Sequence, residues 1–336
     1  MRDESHPLPV VTCAIVGYGA IADYHAIALR AQGARLLAVA GPKAAETQAF
    51  AARHQIPRAH DDVERVFDMV DVDAIVIASP SPVHAMQATA ALRAGKHVLC
   101  EIPIGVSLNE AETAQRAADG TGLVAMACHT QRYWPSTVAL QRIIARDGLV
   151  IRHVIARCTI RRHENIGWTG RQRSWVDNLL WHHGGHTVDT AMLFLGGTVD
   201  SVLASGGPPF EATGQPMDLG IIVGTTSGAF ATVALSYNSM INQTDYLVIA
   251  DDTTYLLDQG RLVAADGSAV QGGSPDEMLR AGIAAQDRDF LNAITSGAAP
   301  SSSFASVLPT MRVLQQVADL TDGAQAGGST TSFIAT

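Results

Sequence analysis

The chain of 336 residues is 47% apolar and carries 23 Lys and Arg against 32 Asp and Glu, a net charge of −9. That length suits about two domains of ~150 residues, each with a core of its own, and excludes a disordered chain. The acidic balance leaves no basic surplus for a phosphate backbone, so nucleic acid is not an expected partner. The longest early apolar run, Val10 to Val16, is too short for a signal segment or a membrane span, so a soluble, cytoplasmic protein with no membrane partner is expected.

Val10 to Val16 reads as a buried strand, followed by Gly17-Tyr18-Gly19-Ala20-Ile21-Ala22 and a helix-like stretch from Asp23 to Ala31. Such a GxGxxA turn suits a dinucleotide pyrophosphate. Gly17 makes the tight turn, Gly19 lets the backbone approach the anion, and small Ala22 lets the helix pack on the strand. The helix N-terminus supplies N–H groups to the anion, and Ala20 and Ile21 of the turn join the candidate cofactor contacts. A glycine turn in some other α/β domain is the competing reading of the motif by itself.

Further strands at Leu36–Ala40, Ala74–Ala78 and His97–Cys100 alternate with helical segments, which predicts a doubly wound parallel Rossmann sheet in an α/β fold. Ligands bind at the carboxyl ends of such strands. Those ends carry Gly41-Pro42-Lys43, Ser79-Pro80-Ser81-Pro82 and Glu101-Ile102-Pro103, so Lys43, Ser79, Pro80, Glu101 and Ile102 are candidate cofactor contacts. An NAD site usually places an acid at the end of the second strand for the ribose 2′-hydroxyl. Gly41 stands there with Lys43 two residues on, which favours NADP, with NAD as the alternative. A solvated helix-start lysine is the competing reading of Lys43. Lys96, the other lysine, precedes its strand on the edge away from the ligand crevice and is not expected to do chemistry. Cys13, Cys100, Cys128 and Cys158 form no CxxC pair and read as buried reduced thiols.

The dinucleotide-binding unit is expected over 8–130, a substrate and oligomerisation unit over 131–322 and a frayed tail over 323–336. Strands at Val150–Ile160, Ser201–Ser205, Leu219–Thr225, Ala229–Tyr237, Tyr246–Ala250 and Thr253–Leu257, with turns between them, predict an antiparallel meander. The second unit is then α+β, an open, mostly antiparallel sheet with helices on one face. Its open face makes a homodimer or homotetramer the expected assembly. Ser274-Pro275-Asp276-Glu277 is a capping box that opens a helix ended by Gly297.

His182, His186 and Asp189 fall at i, i+4 and i+7, so one helical stripe presents two imidazoles and a carboxylate. Polar groups on an apolar helix face are costly unless they line a cavity, which makes these three the candidate catalytic set. The rivals are a structural stripe and a zinc site. His at i and i+4 is metal-ligand spacing, but an HExxH glutamate is absent and no metal is expected. Residues 152 to 173 hold Arg152, Arg157, Arg161, Arg162, Arg171 and Arg173 against Glu164 alone. A basic island in an acidic chain suits a small carboxylated substrate, with Arg161, Arg162 and Arg173 as anchors and Arg132 opposite; a solvated strand edge is the rival reading.

These motifs together resemble the Gfo/Idh/MocA oxidoreductases: GYGAIADYH near the start, SPSPVHAMQATAALRAGKHVLCEIP at 79 to 103 and HHGGHTVD at 182 to 189. The resemblance spans about residues 10 to 320 and implies a nicotinamide-dependent dehydrogenase with an N-terminal Rossmann unit. It adds His84 and Trp175 to the cofactor contacts. Two departures stand out. Ile102 holds the place of the family's Glu-Lys-Pro lysine, and His182 the place of its usual aspartate, while His186 keeps the histidine position. Glu-Ile-Pro, Arg161-Arg162, RSW before WHHxxHTVD, His129 to Tyr133 and Gln286 to Phe290 resemble a narrower branch, the 4-carboxy-2-hydroxymuconate-6-semialdehyde dehydrogenases. That branch is NADP-linked and oxidises a carboxylated hemiacetal to a pyrone dicarboxylate. It carries Ser-Arg-Lys after the second strand, where this chain has Gly41-Pro42-Lys43. A dihydrodiol or sugar dehydrogenase of the same family and a non-catalytic dinucleotide-binding sensor are the alternatives.

Overall fold

The computed structural model describes residues 10–166, 175 and 178–326. The first half builds a six-stranded parallel sheet from β1 (Thr12–Val16), β2 (Arg35–Ala40), β3 (Arg58–His60), β4 (Ala74–Ile77), β5 (His97–Cys100) and β6 (Ala125–Ala127). The strand order is β3-β2-β1-β4-β5-β6, so the chain reverses direction between β1 and β4. A crevice opens there at the carboxyl ends of the strands. The connecting helices are α1 (Ala20–Ala31), α2 (Ala44–Arg53), α3 (Glu64–Phe67), α4 (His84–Arg93) and α5 (Leu108–Ala118), with α6 (Pro135–Asp147) leading out of the sheet. Strands β1 and β4 are apolar runs buried on both faces, as a parallel sheet covered on two sides requires. Sequence patterning missed β3 and β6. Each is three residues long, too short to show a period, and each exists through its pairing with a longer neighbour.

The second half is an eight-stranded sheet of β7 (Ile151–Arg161), β8 (Val199–Gly206), β11 (Asp218–Thr225), β12 (Phe230–Ser236), β13 (Asn238–Ala250), β14 (Thr254–Asp258), β15 (Arg261–Ala264) and β16 (Ala269–Gln271). A small hairpin of β9 (Pro209–Phe210) and β10 (Gln215–Pro216) lies outside it. The order β16-β15-β14-β13-β7-β12-β11-β8 corrects the expected simple meander. Two antiparallel runs flank β7, which pairs in parallel with β12. Helix α7 (Gly185–Leu195) packs on one face of this sheet. On the open face Leu203, Ile222, Thr232, Ile155, Leu247, Leu256 and Val263 fall in one cross-strand row, with Leu203 64% and Ile222 42% exposed.

Two long C-terminal helices, α8 (Pro275–Ser296) and α9 (Phe304–Ala326), return to the first sheet. Helix α8 packs along α1 and α9 along α5, while Met126 of β6 bridges to Ser303. The capping box at α8 forms as the sequence predicts, and Gly297 ends the helix in the left-handed conformation. The helical backbone of α9 runs to Ala326, past the Gly323 at which fraying was expected; the remaining tail is outside the described residues. All four cysteines are buried and free. Among the described residues no helix is long and apolar enough to cross a membrane.

Candidate active site

At the start of α1 the two glycines have different jobs. Gly17 sits at φ +110°, and a Cβ there would lie 2.3 Å from the Ala78 carbonyl oxygen, so any side chain is excluded by the protein itself. Gly19, the N-cap of α1, has nothing within 4 Å of a built Cβ and no side chain capping the helix. Its space is open, and among the described residues no side chain is seen to accept from the first N–H groups of α1, those of Ala20 and Ile21. This is the cradle an anionic pyrophosphate fills. At the end of β2 a Cβ on Gly41 would strike the Tyr18 ring at 2.3 Å. The position of the acid that an NAD site usually carries is thus a glycine with the Tyr18 ring packed against it. Lys43 is 67% exposed with its Nζ 3.5 Å from Glu46.

Where the strands meet the crevice, Ser79 is half-buried, Pro80 exposed and Glu101 only 14% exposed. His84 was expected against the cofactor but is 1% exposed. Its ring nitrogens lie 2.8 Å from the Ser79 and Pro103 carbonyl oxygens, so it ties those two loops together from within the protein. Behind Glu101 lies a charge cluster that sequence reading missed. His25 of α1 is fully buried, with Nε2 2.9 Å from Glu101 Oε1 and Nδ1 2.9 Å from Asp287 of α8. Burial pulls the His25 ring down, but Asp287 and Glu101 outweigh it and raise it to about 10. Glu101 is held below its ordinary value, since the bond to His25 overcomes burial. A signal for this cluster existed, because His25 interrupts the apolar stripe Ala22, Ala26 and Leu29 of α1.

The histidine stripe begins in a π-turn, Leu180–Gly184, closed by Gly184 N–H donating to the Leu179 carbonyl at 2.8 Å, and continues into α7. His186, in the first turn of α7, is half-buried. Burial, reinforced by His129 and His182, lowers its ring to about 3 despite the nearby charges of Glu101 and Asp189. It is therefore a neutral imidazole able to accept a proton. His129, absent from the sequence-based candidates, meets it edge-on with ring centroids 5.9 Å apart. Burial and Arg132 bring His129 to about 4. His183 directs Nδ1 to the Tyr237 hydroxyl at 2.7 Å and packs edge-on against His182.

Two expected roles change. Asp189 is 1% exposed and accepts both Arg132 Nε at 2.7 Å and Arg132 Nη2 at 2.6 Å, with the Thr310 hydroxyl donating at 2.8 Å. Burial opposes its ionisation, but His129, Arg132 and Thr310 hold it at about 2. Asp189 is thus a fixed carboxylate that secures neighbours, with His129 Nδ1 3.3 Å away, and its lone pairs are engaged. Arg132 is equally spent. Its remaining donors reach the Ser301 carbonyl and the Ser306 hydroxyl, which leaves none for a substrate carboxylate. The basic island also thins out: Arg152 pairs with Asp251 and Arg157 with Asp245 across neighbouring strands. Arg162 donates to the Tyr237 hydroxyl at 3.1 Å and to Asn165, and its guanidinium lies over the Tyr237 ring. Arg161 is exposed, with a ring nitrogen of His163 at 3.4 Å. Trp175, expected at the cofactor, lies 6.3 Å ring to ring from Tyr237, the residue that Arg162 also contacts. Arg173 and Arg171 are outside the described residues.

Comparison with known proteins agrees with this geometry. Residues 11–129 match the model for an oxidoreductase family with an NAD-binding Rossmann fold, and 135–273 match that for the C-terminal part of bacterial oxidoreductases. The chain is 33% identical over 306 residues to a 4-carboxy-2-hydroxymuconate-6-semialdehyde dehydrogenase of Sphingobium sp. (strain NBRC 103272 / SYK-6), covering 90% of this chain and 96% of that one. Over 124 residues it is 32% identical to the NADP(+) scyllo-inositol 2-dehydrogenase IolU of Bacillus subtilis (strain 168), 37% of this chain and 38% of that one. Its fold matches levoglucosan dehydrogenase in complex with NADH at a TM-score of 0.81 and 18% identity, covering 94% of this chain and 98% of the other. The chain therefore belongs to the Gfo/Idh/MocA family and is a nicotinamide-dependent dehydrogenase acting on CH–OH.

Proposed function

We propose that the enzyme oxidises the hydroxyl-bearing carbon of a small, carboxylated, aromatic-derived substrate with NADP. The best candidate is the cyclic hemiacetal of 4-carboxy-2-hydroxymuconate-6-semialdehyde, which yields 2-pyrone-4,6-dicarboxylate. One observation carries the reading. In place of an alkoxide-stabilising lysine, Ile102 is buried against the start of α7, its Cδ1 3.3 Å from a Cβ built on Gly185, the residue before His186. A simple alcohol needs help to lose its proton at such a site. A hemiacetal hydroxyl is more acidic, and a neutral imidazole suffices for it.

The Gly17–Ile21 turn would hold the nicotinamide dinucleotide, which would supply the hydride acceptor for the carbinol carbon. His186 takes the hydroxyl proton, and the C–O bond becomes the lactone carbonyl. His182 and His129 add to the burial that keeps His186 neutral. Asp189, paired with Arg132, sits beside His129, while Arg161 and Arg162 receive substrate carboxylates, Arg162 oriented by Tyr237 and Asn165. The Tyr18 ring over Gly41 and the exposed ammonium of Lys43 support NADP over NAD. A relative that covers 90% of this chain, a dehydrogenase of the same hydroxymuconate semialdehyde, supports the substrate class.

The test follows reduced-nicotinamide absorbance with the carboxylated hemiacetal and with neutral polyols, using wild type and His186→Asn. The variant is expected to lose ~10²- to 10⁴-fold in kcat with cofactor affinity unchanged. Full activity in His186→Asn overturns the assignment of the base, and equal kcat/KM on neutral polyols overturns that of the substrate.

A further inference from the structure

We infer that His25, Glu101 and Cys128 form a binding site for one Zn²⁺ ion, built from residues other than the His182–His186 stripe. The ion enters in exchange for two protons and clamps the helix of the dinucleotide cradle to the ends of two strands. The inference is independent of the substrate assignment.

Each of the three side chains offers one ligand atom, and these atoms lie within 4.8 Å of one another. His25 Nε2 is 2.9 Å from Glu101 Oε1 and 3.9 Å from Cys128 Sγ. Ligand atoms around a tetrahedral zinc stand roughly 3.3–3.6 Å apart, so these two spacings bracket what the ion requires. Three elements deliver the set: α1 carries His25, Glu101 follows β5 and Cys128 follows β6. The Cys128 N–H donates to the Cys100 carbonyl at 2.8 Å, which sets the thiol beside Glu101. His25 and Cys128 are fully buried, whereas Glu101 keeps 14% of its side chain exposed and gives the ion its way in. Among the described residues no other three His, Cys, Asp or Glu side chains converge this closely.

The surroundings fit a metal ligand set. His25 turns its other nitrogen, Nδ1, to both oxygens of Asp287, at 2.9 and 3.0 Å. A metal-bound histidine regularly donates that second N–H to a carboxylate, which fixes the ring and leaves Nε2 to the metal. Asp287 is held in turn by the Gln286 amide at 3.3 Å. Glu101 Oε2 accepts from the Ile102 N–H at 3.3 Å, which leaves Oε1 turned to the histidine. The thiol is the deciding member. An ion pair of His25 with Glu101 has no use for sulfur, while Cys, His and carboxylate together suit zinc and not the oxygen-seeking magnesium or calcium. Charge points the same way. With protons on Nε2 and Sγ, the imidazolium, the two carboxylates and the thiol carry one net negative charge. Zinc in place of those two protons leaves an imidazole, a thiolate and the two carboxylates around a doubly positive ion, again one net negative charge. The exchange adds no uncompensated charge to a buried place.

The experiment strips the full-length protein of metal with a chelator and returns Zn²⁺ or Co²⁺ at mildly alkaline pH, with no substrate or nicotinamide present. Equilibrium dialysis is expected to find one zinc per chain, taken up with release of about two protons. The Co²⁺ form is expected to show a thiolate-to-cobalt absorption band in the near ultraviolet. Asp287→Asn, which weakens the support of His25, is expected to lose roughly 10- to 100-fold in zinc affinity. Cys128→Ser keeps the shape of the side chain and is expected to lose the cobalt band and to bind zinc more weakly still, while Cys158→Ser and His186→Asn keep both. Wild-type protein that takes up no zinc at micromolar free ion, or whose Co²⁺ form lacks the thiolate band, overturns the proposal without recourse to any variant. So does a band that persists in Cys128→Ser, or uptake that His186→Asn abolishes and Cys128→Ser does not.

Discussion

Replacing Arg132 by methionine distinguishes a structural ion pair from a substrate anchor. The guanidinium donates two bonds to Asp189 and others to Ser301 and Ser306, and its side chain is 10% exposed. Its loss leaves a carboxylate that is 1% exposed, with the Thr310 hydroxyl at 2.8 Å and His129 Nδ1 at 3.3 Å as its remaining neighbours. Breaking a buried pair by removing one partner costs about 3–5 kcal/mol. At roughly 2 °C per kcal/mol for a chain of this size, Tm falls by about 6–10 °C. A substrate anchor behaves differently: loss of one charge-assisted bond, worth ~1.5–3 kcal/mol, lowers kcat/KM roughly tenfold to a hundredfold and leaves Tm in place. Thermal unfolding and steady-state kinetics on the same preparation separate the two. The Arg132→Met/Asp189→Leu double variant removes both charges and is expected to regain most of the lost Tm, because no unpaired ion remains. An unchanged Tm with a raised KM for carboxylated substrates would refute the reasoning.

Three further outcomes are expected. Gly19→Val leaves Tm unchanged, since its side chain points into open space, yet abolishes fluorescence quenching by the cofactor, whereas Gly17→Ala lowers Tm because its Cβ meets the Ala78 carbonyl at 2.3 Å. Lys43→Ala weakens NADP binding by up to roughly tenfold in a titration and leaves NAD binding as it was, and equal effects on both cofactors would make Lys43 a surface residue. His25 sits at about 10 when folded against about 6.5 when unfolded, so its stabilisation is complete below pH 6.5 and is lost as pH rises toward 10. Between pH 7 and 8.5 the unfolding free energy should fall by about 1.4 kcal/mol per unit in denaturant titrations, a slope that His25→Gln should lack.

The features legible in the amino-acid order are those that neighbours along the chain decide. The strand, glycine turn and helix from Val10 to Ala31 follow from local sterics and a short apolar run, and the cap at Ser274 to Glu277 closes on itself within one turn. The stripe of His182, His186 and Asp189 was visible for the same reason, since its spacing lies within a single helical segment. What each member does was not visible. Asp189 holds rather than reacts because Arg132 reaches it from 57 positions away, and Thr310 from 121. The parallel pairing of β7 with β12, the Tyr18 ring packed against Gly41, and the His25 pairs with Glu101 and Asp287 likewise join segments distant in sequence. Periodicity and propensity show which side chains are turned inward. Which charge each of them meets there is decided by packing, because a buried carboxylate or imidazole takes its ionisation state from whatever group the folded chain brings within about 3 Å of it.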